Sequence, residues 1–268
     1  MTLNSTSPRY TYSLQLLPSA IRVLLGVRSS ISHDAAILLR GAHPTPRALN
    51  TENIPADSPF LLAINHYDHA KLPAWWSAAL LATTIASRRA REPRDLHFMM
   101  AREWWYPNGI GKWIKQPLTN WAFGQIAKAY GTIRLPPVLG NDEFRGEGAT
   151  AVRYALSLIR GASPELIAVA PEGKTGDGLA LCLPPTGAGL FLLLLTHDKI
   201  PILPCGLHED DDGILTANFG TLFQMDVARR LPKPERDREA ARQVMTHIGA
   251  LLPERMWGMY REEIRKIA

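Results

Sequence analysis

The chain has 268 residues, 46% of them hydrophobic and 21% charged, proportions of a folded globular protein that set aside disorder except at the ends. Thirty Lys and Arg against 25 Asp and Glu leave a net charge of +5, which favours anionic surfaces. The basic residues form no long block and no recognisable nucleic-acid module, so nucleic acid is not expected as a partner.

No run of 18 apolar residues occurs, so no transmembrane helix is expected. Cys182 and Cys205 lack metal-ligand spacing and read as reduced thiols of a cytosolic chain, with no metal and no cofactor implied.

After a polar lead, residues 14 to 27 and 34 to 40 read as helical pieces. On the first, Leu17, Ile21, Leu24 and Leu25 suit burial at a membrane surface with Arg22 and Arg28 toward headgroups; packing on the chain's own domain is the other reading. Residues 41 to 58 read as a connection, 60 to 64 as a buried strand, Pro73 to Ser87 as a helix, and Leu96 to Met100 as a strand. The aromatic region 102 to 123 precedes a helix over 118 to 129 and a strand over Gly131 to Leu135.

Thr150 to Arg160 is amphipathic and helical, with Gly161 as its cap. A strand at 166 to 170 runs into a Gly-rich loop, 173 to 178. Gly187 to Leu195 reads as a helix apolar all round and hence buried. Then come a strand over Ile200 to Cys205, an acidic turn at Glu209 to Asp212, a short strand pair around 214 to 219, and a helix from Arg236 to Leu252. The alternation predicts an α/β fold: a single domain with a largely parallel central sheet flanked by helices, residues 46 to 268, behind an N-terminal helical segment, 1 to 45.

Two strands end in polar residues. Phe60 to Ile64 leads into Asn65-His66-Tyr67-Asp68-His69, and Leu166 to Ala170 into Pro171-Glu172-Gly173-Lys174-Thr175. Strand ends are where open α/β sheets expose polar side chains to ligands. His66 is therefore a candidate general base, since an imidazole accepts a hydroxyl proton; His69 reads as a loop-lining residue. Glu172 suits hydrogen bonding to a polyol, Lys174 suits a phosphate, and Gly173 lets a ligand approach the backbone; a polar turn with a surface salt bridge is the competing reading.

Together these motifs resemble the glycerophospholipid acyltransferases related to bacterial 1-acylglycerol-3-phosphate acyltransferase. That family has a strand leading to Asn-His-x4-Asp and a later strand leading to Phe-Pro-Glu-Gly with Thr or Ser close behind. Asn65-His66 and Ala170-Pro171-Glu172-Gly173-Lys174-Thr175 are similar, as are Gly131-Thr132-Ile133-Arg134, Gly187-Ala188-Gly189 and Ile200-Pro201-Ile202-Leu203-Pro204 in their order along the chain. Lys71 stands where the family keeps its aspartate, and Asp68 is the nearest carboxylate to replace it. Arg134 falls three residues before the family's arginine position, which Pro137 occupies.

The resemblance implies a glycerolipid acyltransferase-like fold and transfer of a fatty acyl group from acyl-CoA or acyl-carrier protein to a hydroxyl of a lysophospholipid or other glycerolipid, peripheral on the inner membrane face. His66 and Asp68 would be catalytic; Asn65, Arg134, Glu172, Gly173, Lys174 and Thr175 would bind substrate, with Arg153 as a further cation. Loop backbone N–H groups would stabilise the oxyanion. Leu190 to Leu195 and Trp75, Trp76, Trp104 and Trp105 would border an acyl tunnel, unless they are core. The alternative is a catalytically impaired relative that binds lipid or acyl carrier without transfer; a third reading is a thioesterase-like hydrolase using the same histidine.

Overall fold

The computed structural model describes residues 8–89, 95–104, 106, 108–136, 147–196 and 200–267. In chain order the elements are β1 (Arg9–Tyr10), α1 (Leu17–Leu24), α2 (Ile31–Leu39), β2 (Ala42–His43), β3 (Arg47–Leu49), β4 (Leu61–Ile64), α3 (Ala74–Arg88), β5 (Leu96–Ala101), α4 (Gln116–Tyr130), β6 (Ile133–Leu135), α5 (Glu147–Ile159), β7 (Leu166–Val169), α6 (Ala188–Leu195), β8 (Ile202–Glu209), β9 (Leu215–Phe219), α7 (Lys233–Gly249) and α8 (Arg261–Ile264).

Among the described residues seven strands form one sheet in the order β3-β9-β8-β4-β7-β5-β6, parallel throughout except for the β8–β9 hairpin. Its middle strands are apolar because helices cover both faces: Leu61, Leu62 and Ala63 of β4 and Leu166 and Ile167 of β7 are fully buried. One face carries α2 against α3 and α1 against α4; the other carries α5, α6 and α7. The N-terminal segment is fastened to this body. Asp34 of α2 is buried and accepts the hydroxyls of Ser19, Ser29 and Tyr130, and β1 pairs with β2.

Several boundaries differ from the sequence expectation. Residues 41 to 58, expected as connection, hold β2 and the edge strand β3. α2 starts at Ile31, where the Ser30 hydroxyl accepts the His33 N–H as an N-cap. α4 continues a helical turn that begins upstream of Pro117; its first residues, Gly111–Lys115, form a wide π turn, fitting a proline with no N–H to give to the preceding turn. Gly131 caps α4 at φ +68° rather than opening β6.

β8 runs on to Glu209 instead of ending at Cys205, and β9 is one strand, not a pair. α6 is buried on one side only, through Gly189, Leu192 and Leu195; Leu194 is exposed, so the run is not the enclosed helix its composition suggests.

The connections leaving β4 and β7 run in opposite directions along the sheet, α3 toward β5 and α6 toward β8. A crevice therefore opens at the carboxyl ends of these two adjacent strands. The register pairs Ala63 with Val169, so His66 and Glu172, each three residues further on, face one another beyond the ladder.

Candidate functional site

The loop after β4 is held from both sides by its neighbouring strands. Toward β8, Asn65 is 1% exposed and its side-chain amide works as an extra rung: Nδ2 donates to the Leu207 carbonyl at 2.9 Å and Oδ1 accepts the Leu207 N–H at 2.7 Å. Its polar atoms are spent inside the sheet, so Asn65 holds the loop instead of facing a substrate. Toward β7, Glu172 is 3% exposed; Oε2 accepts the His66 N–H at 2.8 Å and Oε1 the Cys182 N–H at 2.7 Å.

Burial pushes the Glu172 carboxyl up to about 6, against the downward pull of the Cys182 and His66 N–H donors. Glu172 is thus a clamp on the histidine backbone, not the exposed polyol acceptor that its strand-end position suggests. The His66 N–H, given to Glu172, is not an oxyanion donor.

A second glutamate performs the same task from β8. Glu209 Oε2 accepts the Tyr67 hydroxyl at 3.0 Å and lies 2.8 Å from His69 Nε2, while its own N–H donates to the Tyr67 oxygen at 3.1 Å. Burial, then the Glu209 carboxylate, pushes the Tyr67 phenol up and keeps it protonated. The sequence places Glu209 at the start of an acidic turn, whereas it is the last residue of β8. His69 itself is bound into this network and into a tight turn with Leu72.

The His66 ring is oriented by two groups. Nδ1 lies 2.8 Å from the Thr175 hydroxyl and 3.2 Å from Asp68 Oδ1, and the Thr175 hydroxyl also donates to Asp68. A hydroxyl has one proton; Thr175 gives it to Asp68 and so accepts from His66 Nδ1–H. This fixes the tautomer with the lone pair on Nε2, which has no hydrogen-bond partner among the described residues, on a side chain 32% exposed. Such an imidazole is set to take a proton from an incoming hydroxyl.

Lys71 is exposed, and its N–H donates to His69 Nδ1 at 3.3 Å; it takes no part in orienting His66. Thr175, expected to bind substrate, is the bridge between His66 and Asp68. Gly173 and Lys174 are exposed at the tip of the loop, and Gly173 sits at φ +66°, a conformation that favours glycine. Cys182 contributes its backbone; burial and then the Glu172 carboxylate push its thiol up to about 11, which removes it as a nucleophile.

Arg134 is not in this crevice. It lies on β6, three strands from β4, or about 14 Å across the sheet at ordinary strand spacing. Its guanidinium donates to the Arg102 carbonyl and to Asn120, and it lines a separate cleft of about 410 Å³ with Trp121, Lys128 and Tyr154. Arg153 is exposed on α5, bonded to Thr150. Arg255 instead donates to the Glu209 carbonyl at 2.8 Å and brings a cation to this end of the sheet that sequence reasoning missed.

The expected tunnel tryptophans do not converge. Trp76 is fully buried against Tyr10 and Tyr12, Trp75 donates its indole N–H to the Tyr12 hydroxyl, and Trp104 is exposed edge-on to Phe123; Trp105 lies outside the described residues, as does Pro137. Among the described residues no group of three or more His, Cys, Asp or Glu side chains is arranged to hold a metal ion, and no helix is long and apolar enough to cross a membrane. No known protein family matches this chain, and no curated protein matches it.

Proposed function

We propose that the protein is an acyltransferase that moves a fatty acyl group from a thioester, acyl-CoA or acyl-carrier protein, to a hydroxyl of a glycerolipid acceptor, working at the inner face of a membrane. The observation that carries this reading is the His66–Thr175–Asp68 arrangement, which leaves Nε2 unprotonated and outward at the strand ends.

In this reaction His66 Nε2 takes the acceptor's hydroxyl proton as the oxygen attacks the thioester carbonyl. The tetrahedral intermediate collapses with loss of the thiolate, which takes the same proton back from Nε2; the products are an ester and a free thiol. Asp68, reached directly and through Thr175, stabilises the imidazolium formed between the two steps. Lys174 and Arg255 are the cations at hand for a phosphate on acceptor or donor.

The resemblance to the glycerophospholipid acyltransferases supports the choice of thioester and glycerolipid over other alcohols. Lys71 in place of the family's aspartate favours the second reading, a relative that binds without transfer. Asp68 beside Nδ1 answers that objection, because the orienting carboxylate is supplied from a different position.

The test is thiol release from acyl-CoA by the purified chain in the presence of lysophosphatidic acid. Release that falls by about 10²- to 10⁴-fold in His66→Ala supports the proposal. Release unchanged in that variant, or absent from the wild type with any glycerolipid acceptor or carrier, rejects it.

A further inference from the structure

In α1 the one buried residue is polar and most of the large apolar side chains face out. Its buried residue is Ser19, whose hydroxyl donates to Asp34 at 2.6 Å, while Leu17, Ile21, Leu24 and the following Leu25 are exposed. A helix covering a core does the opposite. The helical stretch that leads into α4 repeats the pattern: Ile110, Trp113, Ile114, Leu118 and Trp121 recur at three- and four-residue spacing and are all exposed, Trp113 at 79%.

α1 and α4 pack side by side, and the Gln125 amide donates to the Leu24 carbonyl at 2.7 Å, so the two stripes belong to one surface. That surface continues through exposed Tyr12 to Trp75, whose indole N–H donates to the Tyr12 hydroxyl at 2.9 Å, in the first turn of α3 directly after the His66 loop. An apolar face of this extent marks an interaction site.

Charge selects the occupant. Residues 8 to 33 and 104 to 136 contain no Asp or Glu, while Arg22, Arg28, Lys112 and Lys115 flank the two stripes. A second copy seated symmetrically on this face would set these cations against their equals, which disfavours a dimer. Anionic phospholipid satisfies both the apolar stripes and the cations, and tryptophan suits the headgroup boundary.

We propose that α1 and the 110–121 helix together form a monotopic membrane face that lies flat in an anionic bilayer, with Trp113 and Trp121 at headgroup depth. The inference deepens the acyltransferase reading, on which it rests only for its purpose: it names the side from which a lipid acceptor reaches His66. The contact itself is measured without turnover.

The experiment is co-sedimentation of the full chain with vesicles of phosphatidylcholine, with and without phosphatidylglycerol, read also by tryptophan emission and by quenching from brominated acyl chains. Binding to the phosphatidylglycerol vesicles with a blue shift and quenching is expected. Lys112→Glu with Lys115→Glu should weaken it more than about tenfold, at about fivefold for each lysine lost from the surface. Trp113→Ser with Ile114→Ser should weaken it comparably, with an unchanged melting temperature.

His66→Ala should bind as the wild type does, and a wild type that binds these vesicles yet transfers no acyl group counts against the catalytic reading alone. A wild type left in the supernatant, equal binding to neutral vesicles, or a dimer in solution that Trp113→Ser breaks would each overturn the membrane face.

Discussion

Because a hydroxyl carries a single proton, the Thr175 side chain that donates to Asp68 can only accept from His66, and the lone pair of the imidazole is left on the outward nitrogen. Thr175→Val removes both bonds and leaves the ring held only by its direct 3.2 Å contact with Asp68. It should lower kcat by about 10- to 100-fold at a nearly constant KM, with Thr175→Ser close to wild type, as steady-state kinetics would read. Lys71→Asp should change the rate by less than about twofold, since Lys71 is exposed and the carboxylate it would supply is already provided by Asp68.

Glu172 has a signature in stability. Its carboxyl is pushed from an ordinary value of 4.5 to about 6, so the folded protein binds more protons than the unfolded one in that window. The stabilisation is fully present below pH 4.5 and is lost as pH rises through 6, an amount of about 2 kcal/mol. Denaturant unfolding at a series of pH values should show this decline in the wild type and not in Glu172→Gln. The variant should match the wild type most closely in acid, where both side chains are neutral.

At the level of helices and strands, α6 and α7 touch backbone to backbone. The Asp237 carboxylate of α7 accepts the Gly187 N–H at 2.6 Å and the Leu190 N–H at 2.9 Å, capping α6, and a Cβ on Gly189 would fall 1.9 Å from the Asp237 carbonyl oxygen. Gly189→Ala must therefore part the helices, and should cost about 1–3 kcal/mol, measured as a shift in denaturant midpoint. The glycine reads from sequence as a weak point in a helix; the contact that requires it belongs to a helix that starts 44 residues later, at Lys233. The run 188 to 195 is a helix by length and composition, yet with every position apolar it carries no period to say which side is covered. The stretch 110 to 121 does carry a period, but Pro117 interrupts it and aromatic residues crowd it, so its helical nature emerges only where the π turn joins it to α4.

Across the whole molecule, the middle of the sheet is both the most buried region and the platform for the site, with β4 clasped between β7 and β8. Hydrogen exchange should accordingly be slowest in β4, β7 and β8 and fastest in α1, which is attached by polar bonds around Asp34 and buries no apolar residue. Fast exchange in β4 relative to α1 would contradict this layering.

The α/β class and the largely parallel sheet followed from the chain's alternation of apolar runs and amphipathic stretches, and the pairing of His66 with Glu172 followed from two runs that each break off into polar residues. These features are local, encoded in periodicity and in where it stops. The order of strands is not local, and it alone brings β7 and β8 to either side of β4, turns Asn65 and Glu172 inward as clamps, makes Glu209 their counterpart, and carries Arg134 to the far edge. The service of Asp68 to the His66 ring has the same origin: a two-residue offset in sequence says nothing about direction until Thr175, 107 residues on, supplies the bridge. Likewise the apolar residues of α1 can be read from the chain, but which way they face depends on a single buried carboxylate, Asp34, that draws Ser19 inward.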